Sequence, residues 1–161
     1  MSDTETSPIQ PVELGYRTVL RLSAILYAVP MAAAAIIADQ LLLRANALPW
    51  GFLTVFALLI AAIMVITVPG RKYRTLGYTM GADNLRVVHG MMFHTDTVVP
   101  FVRVQHIDVG QGPLERAAGV THLVVHTAGT HNSIVTLPGL SRDNATAMRD
   151  SIRAHIQTDF A

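Results

Sequence analysis

Two long stretches of the chain are almost wholly apolar, and shorter alternating segments follow them. The first stretch covers about residues 22–43 and the second about residues 50–68. About 20 apolar residues span a hydrocarbon core of ~30 Å, and a helix on the surface of a soluble protein keeps a polar face. Since these stretches have almost no polar face, we predict two transmembrane helices rather than a buried pair in a soluble bundle.

The short connection Arg44–Pro49 predicts that the two helices form an antiparallel hairpin with both ends on one side of the membrane. Basic residues flank the hairpin at Arg17, Arg21, Arg71, Lys72 and Arg74. Because short cytoplasmic segments are enriched in Lys and Arg, we predict a multi-pass protein of the cell (inner) membrane with cytoplasmic N- and C-termini. Residues 1–21 are expected to be a cytoplasmic tail, disordered over Met1–Pro11, without the basic start of a signal peptide.

An acidic residue, Asp39, lies inside the first stretch, about one turn from its end. A carboxylate within a membrane helix is a candidate functional group. The position favours a simpler expectation, in which Asp39 reaches the headgroups or meets Arg44.

Residues 73–157 have the pattern of a mainly β domain. Alternation and turn residues predict strands at Thr75–Met80, Leu85–His89, Thr95–Pro100, Val102–Val109, Thr121–Thr127 and Ser133–Leu137. In the fourth of these, Val102, Val104 and His106 are expected to share a face. Pro113 predicts a helical turn continuing to Ala117, where Glu115 and Arg116 are a candidate ion pair.

The final segment changes to a helical period. Ser141 is a favourable N-cap, and an apolar stripe predicts a helix over residues 141–157, with members Ala145, Met148, Ile152 and Ile156. Antiparallel strands closed by one helix predict a partly open barrel or sandwich.

Composition narrows the function classes. Half of the chain is apolar (51%), and the net charge of +1 gives no electrostatic footprint for nucleic acid. The chain has no cysteine, which excludes disulfides, thiolate metal sites and a cysteine nucleophile.

The amino-acid sequence of the β segment resembles that of the bacterial pleckstrin-homology-like membrane proteins, the YdbS-like bacterial PH domain family. The residues that carry the resemblance are Gly90, Val104–Val109, Gln111–Arg116, Gly119, Leu123–Gly129 and Leu137–Leu140. The resemblance implies a seven-stranded, partly open barrel with one C-terminal helix, and it supplies no catalytic residues. The pleckstrin-homology domains of eukaryotes often bind inositol phosphates through a basic first loop, but here the loop Met80–Asn84 has neither Lys nor Arg.

The histidines suggest no chemistry at this stage. His122 and His126 are four apart on a predicted strand, hence about 13 Å apart, so with His131 they are not expected to share a metal. His106 and Asp108 share a face without a recognisable nucleophile nearby. We therefore expect no metal, cofactor or catalytic residue.

Two candidate contact sites remain. Arg71, Lys72 and Arg74 are candidates for contact with lipid headgroups, and Met91, Met92 and Phe93 are a candidate partner surface, with ordinary turn packing as the alternative. The main hypothesis is a non-catalytic, membrane-tethered interaction module that binds a protein partner or headgroups on the cytoplasmic face. The alternatives are a structural homo-oligomer or an accessory subunit of a membrane complex, and an enzyme is disfavoured.

Overall fold

A computed structural model of the protein describes residues 8–44, 51–91, 93–128 and 133–159. Two long helices, α1 (Gly15–Arg44) and α2 (Phe52–Arg74), pack against each other along the hairpin. Both are long and apolar enough to cross a membrane. Within the most apolar 18-residue segment of each helix, only 6% is buried in α1 and only 11% in α2. The predicted connection after Arg44, including Trp50, lies outside the described residues.

The β domain consists of two antiparallel sheets and a C-terminal helix. The strands are β1 (Gln10–Pro11), β2 (Gly77–Met80), β3 (Asn84–His89), β4 (Thr95–Pro100), β5 (Val104–Gly110), β6 (Thr121–Thr127) and β7 (Ile134–Leu140). The sheet orders are β1-β2-β3-β4 and β5-β6-β7. Helix α3 (Pro113–Ala117) connects β5 to β6, and α4 (Arg142–Asp159) closes the domain. The expected partly open β fold with one C-terminal helix is confirmed.

The core lies between the two sheets and α4. Its most deeply buried side chains include Leu85, Val87, Leu123, Leu137 and Ile152. Burial of each such side chain contributes about 1.5 to 3 kcal/mol. The predicted stripe of α4 faces this core, and the Asn144 amide donates to the hydroxyl of Ser141 at 3.2 Å, as an N-cap requires.

The alternation predicted for β5 is wrong in one respect. A register shift between Val104 and His106 reverses which side chains face the core in the second half of the strand. Val104 and Ile107 are therefore buried, and His106 faces outward. A bulge inserts one residue into a strand, and a strictly alternating pattern does not reveal it. The 3₁₀ turn Phe101–Arg103 also takes the start of the predicted strand.

The largest difference from expectation is at the N-terminus. Strand β1 pairs with β2 within the segment predicted to be a tail, and α1 already begins at Gly15. Val12, Tyr16 and Leu20 are buried in the core of the β domain. The membrane hairpin is thus inserted between the first and second strands of the domain.

Candidate functional site

The junction between the hairpin and the β domain is held by the chain segments at the start of α1 and at the end of α2. The hydroxyl of Tyr73, near the end of α2, donates to the carbonyl of Val12 at 2.9 Å. The amide of Glu13 donates to the carbonyl of Gly139 at 2.8 Å. Together with the buried Tyr16, these contacts fix the base of the hairpin to β7.

Gly139 permits the closest of these approaches. Its φ is 74°, and a Cβ at this position would lie 2.7 Å from the Cβ of Tyr16. Glycine is the residue that adopts this left-handed conformation at no steric cost. A side chain here would therefore separate α1 from β7.

The junction is also basic. The last turn of α2 contains Arg71, Lys72 and Arg74, and all three side chains are exposed. Arg17 and Arg21 on α1 are exposed as well. The structure thus brings the three predicted headgroup-contact residues together at the base of the hairpin. In general, a Lys or Arg next to an anionic membrane surface contributes about 1 kcal/mol to the attraction.

The inside of the junction differs chemically from its rim. Burial raises the pKa of Tyr78 on β2, and the nearby negative charge of Glu13 raises it further. The hydroxyl of Tyr78 therefore stays neutral to higher pH than usual.

The predicted partner surface precedes β4. Met91 is 40% exposed and Phe93 is 82% exposed, while Met92 lies outside the described residues. The side chain of Phe93 lies outside the core. Its exposure does not fit the alternative in which this residue packs within the turn. A large exposed apolar side chain next to a strand edge is a feature of interaction surfaces.

Strand β4 continues this surface as an open edge. Among the described residues it pairs only with β3. A groove of about 360 Å³ is lined by all six residues of β4 and, in addition, by Arg103, Thr127, Ala128 and Val135. An edge strand presents unpaired backbone N–H and C=O groups and is a template for another strand. Sequence reasoning missed this groove, because it depends on which strands remain unpaired.

The outer face of β3 and β4 carries an ion pair. The guanidinium of Arg86 is hydrogen-bonded to both carboxylate oxygens of Asp96, with Nε contacts of 2.9 and 3.0 Å. This hydrogen bond holds the pKa of Asp96 below its usual range. Both side chains are partly exposed, so the pair is a minor source of stability.

Two histidines face a common carboxylate on the β5–β6 surface. His106 Nε2 lies 2.9 Å from Asp108 Oδ1, and His126 Nε2 lies 3.4 Å from Asp108 Oδ2. The sharing of a face by His106 and Asp108 is as predicted, whereas the cross-strand pairing with His126 is new. His131 lies outside the described residues, and within those residues no group of three His, Cys, Asp or Glu side chains is arranged to hold a metal ion.

Glu115 forms contacts other than the ion pair with Arg116 that the sequence suggested. Its carboxylate Oε2 lies 2.6 Å from His122 Nδ1 and accepts a hydrogen bond of 2.7 Å from the amide of Gly112. These contacts fix α3 to β6. Their role is structural, since the short helix and the strand end require polar partners.

Asp39 also differs from expectation. It is 4% exposed, and the hydroxyl of Thr54 on α2 donates to its Oδ2 at 2.9 Å. The carboxylate thus lies between the two helices instead of reaching the headgroups. Hydrogen bonds across membrane helices favour such pairing.

Comparison with known proteins agrees with this architecture. A family model described as "Bacterial PH domain" matches residues 17–156, which include α2 and all but the first two residues of α1. The UPF0699 transmembrane protein YdbS of Bacillus subtilis (strain 168) is 32% identical over 102 residues, covering 63% of this chain and 62% of that protein. The chain thus spans less than two thirds of the length of this relative. No solved structure gives a significant match.

Proposed function

Because the chain belongs to the bacterial PH domain family and is a membrane protein, we propose that it is a tethered interaction module that binds a protein partner at the cytoplasmic face. Both long helices cross the inner membrane, and both termini are cytoplasmic. Arg71, Lys72 and Arg74 contact anionic headgroups at the base. The module catalyses no reaction.

The shared core at the junction is the observation that carries this proposal. Val12, Tyr16 and Leu20 belong at once to the hairpin entrance and to the core of the β domain. Two hydrogen bonds, from Tyr73 to Val12 and from Glu13 to Gly139, add to this. A domain fixed in this way holds its surface at a constant height and orientation above the membrane, which suits display to a partner.

The open edge of β4 and the exposed Phe93 before it are the proposed contact surface. An extended segment of a partner can add to an edge strand through main-chain hydrogen bonds, with side-chain pockets giving specificity. The groove beside β4 leaves room for such a segment. Arg103 at its side favours a partner segment that carries a carboxylate.

Crosslinking tests the contact surface in intact cells. A photoreactive residue replaces Val98 on β4, or Ala147 on the exposed face of α4 as a matched control. We expect one discrete adduct from position 98 only, and we expect Phe93→Ser to weaken it. Point variants are preferable to removal of the β domain, because removal would expose Val12, Tyr16 and Leu20.

The size of the adduct separates the alternatives. An adduct of twice the chain mass from position 98 would favour the homo-oligomer over a separate partner. Equal adducts from positions 98 and 147, or none from either, would contradict the proposed surface.

Cysteine labelling tests the orientation independently. The chain has no native cysteine, so Asp143→Cys and Ala147→Cys on exposed α4 positions are the only targets for a thiol reagent. A membrane-impermeant maleimide should label them in inverted membrane vesicles and not in right-side-out ones. Labelling from the outside would overturn the cytoplasmic placement.

A further inference from the structure

A groove lies between the two long helices in the half of the hairpin next to the β domain. Its volume is about 200 Å³. One face of α1, from Leu20 to Met31, forms one wall, and one face of α2, from Ala61 to Lys72, forms the other. Tyr27 in this lining is 76% exposed, so the groove is open to the surroundings of the hairpin.

The length of the groove matches one leaflet of a bilayer. At a rise of about 1.5 Å per residue, each wall extends for roughly 16 Å. Half of a hydrocarbon core of ~30 Å is about 15 Å. With the domain at the membrane surface, the groove therefore extends from the headgroup level to near the middle of the membrane.

The chemistry of the groove is divided along its length. Its lining is apolar apart from the hydroxyls of Tyr27 and Ser23 and the ammonium group of Lys72. The Ser23 hydroxyl is already bonded to the carbonyl of Leu20 at 2.9 Å. Lys72 is the one cation among the lining residues. It lies at the end of the groove next to the β domain, which is the end at headgroup level.

The charges around this end reinforce the cation. Residues 13–21 and 71–74 carry exposed basic side chains against a single exposed carboxylate, that of Glu13. The basic residues are Arg17, Arg21, Arg71, Lys72 and Arg74. Basic pockets between membrane helices on the cytoplasmic side are a known arrangement for anionic lipid headgroups.

We infer that this groove binds one anionic phospholipid of the cytoplasmic leaflet, with an acyl chain along the groove and the phosphate at Lys72. The inference rests on the proposed membrane orientation and is independent of the proposed protein partner. A helix from a second copy would cover the apolar walls but would present no counter-charge to Lys72. An anionic phospholipid satisfies both ends at once.

Quenching by brominated lipid tests this inference on the full-length protein. Met31→Trp places a fluorophore at the deep end of the groove, and Val29→Trp places one at similar depth on another face of α1, each combined with Trp50→Phe. Each variant is reconstituted into phosphatidylcholine nanodiscs that contain a minor share of phosphatidylglycerol. Bromine is carried on the acyl chains of one lipid at a time.

We expect phosphatidylglycerol to quench position 31 about fivefold beyond its share of the bilayer, and position 29 only in proportion to it. Lys72→Gln should remove most of this enrichment by weakening the headgroup contact. Ala28→Leu should remove it by filling the groove, whereas Ala33→Leu, the same change outside the lining, should leave it unchanged. Circular dichroism confirms that each variant is folded.

The other outcomes overturn the inference. Quenching of both positions in proportion to bilayer composition would mean that the groove holds bulk lipid only. Protection of position 31 from both lipids would mean that another helix covers it, as in an assembly of copies. Because no partner is present in the nanodisc, a failure here leaves the proposed β4 contact surface untouched, and a failure of crosslinking at Val98 leaves the groove untouched.

Discussion

The hairpin and the β domain use the same kinds of apolar side chain in opposite ways. Ile66 and Tyr27 on the helices are each 76% exposed, whereas Leu123 and Leu137 in the β domain are 0% exposed. In lipid, the burial of apolar side chains against one another brings no hydrophobic gain, because acyl chains are as apolar as they are, and helices associate through van der Waals packing and hydrogen bonds. In water, burial is the main source of stability. The difference shows that the two regions are adapted to different solvents.

The junction is where these two solvents meet, and one helix serves both. Leu20 is buried in the domain, and Ile25 on the following turns is 45% exposed. Asp39, further along α1, is again buried, against Thr54. The contribution of an α1 side chain to the stability of the protein therefore depends on its position along the helix. Substitutions at different positions along α1 should have different effects on unfolding.

The largest effect should come from the core of the β domain. Leu123→Ala deletes a fully buried side chain and should destabilise the protein by about 2 to 5 kcal/mol. Leu59→Ala on α2 is the matched control, because its side chain is 58% exposed on the membrane hairpin. We expect little change for it in thermal unfolding followed by circular dichroism in mild detergent. Equal destabilisation by the two variants would contradict the division between the regions.

The next effect should come from the junction. Gly139→Ala introduces a Cβ at 2.7 Å from Tyr16 in a left-handed conformation, whereas Gly119→Ala introduces one at φ 70° with no atom within 4 Å. Backbone strain of about 1 to 3 kcal/mol is common to both. Gly139→Ala should therefore lower the unfolding temperature further than Gly119→Ala. Similar values would show that α1 does not depend on its contact with β7.

The sequence was informative where its pattern reflects one solvent. The two apolar stretches, the bounds of β4 at Thr95–Pro100 and the stripe of α4 follow directly from period and polarity. The short strand β1 could not be predicted in this way, because two residues, Gln10 and Pro11, carry no period. Its pairing with β2 spans the whole hairpin, and a local pattern carries no information about such a distant contact.

The candidate sites divide in the same manner. A cluster of basic residues at the end of an apolar stretch predicted the positions of Arg71, Lys72 and Arg74. The β4 groove and the pairing of His126 with Asp108 depend on register and on the bulge in β5. Neither register nor a missing neighbour strand is encoded in residue spacing alone.

A smaller effect is expected from the hydrogen bond between the helices. Thr54→Val removes the donor to Asp39, and bonds of this kind contribute about 0.6 kcal/mol on average and up to about 1.7. Thr67→Val is the control, because its hydroxyl bonds to the carbonyl of Ile63 within α2. The distance between spin labels on the two helices, measured in detergent, reports how closely the helices pair. We expect the distance distribution to change for Thr54→Val only. An unchanged distance distribution would show that apolar packing alone holds the hairpin.

The smallest effect should come from the surface pair of Arg86 and Asp96, and it is the one that pH can switch. The pKa of Asp96 is lowered in the folded protein, mainly by its hydrogen bond to Arg86. The contribution of the pair is therefore present above the unfolded pKa of about 4 and is lost as the pH falls through the lower folded value. Asp96→Asn should reduce the unfolding temperature slightly near neutral pH, and the difference from the parent protein should shrink toward acid and at high salt. A difference independent of pH would show that the substitution changes the packing of the β4 edge rather than its charge. That edge would then be sensitive to shape, and crosslinking at Val98 in the Asp96→Asn background would report the change directly.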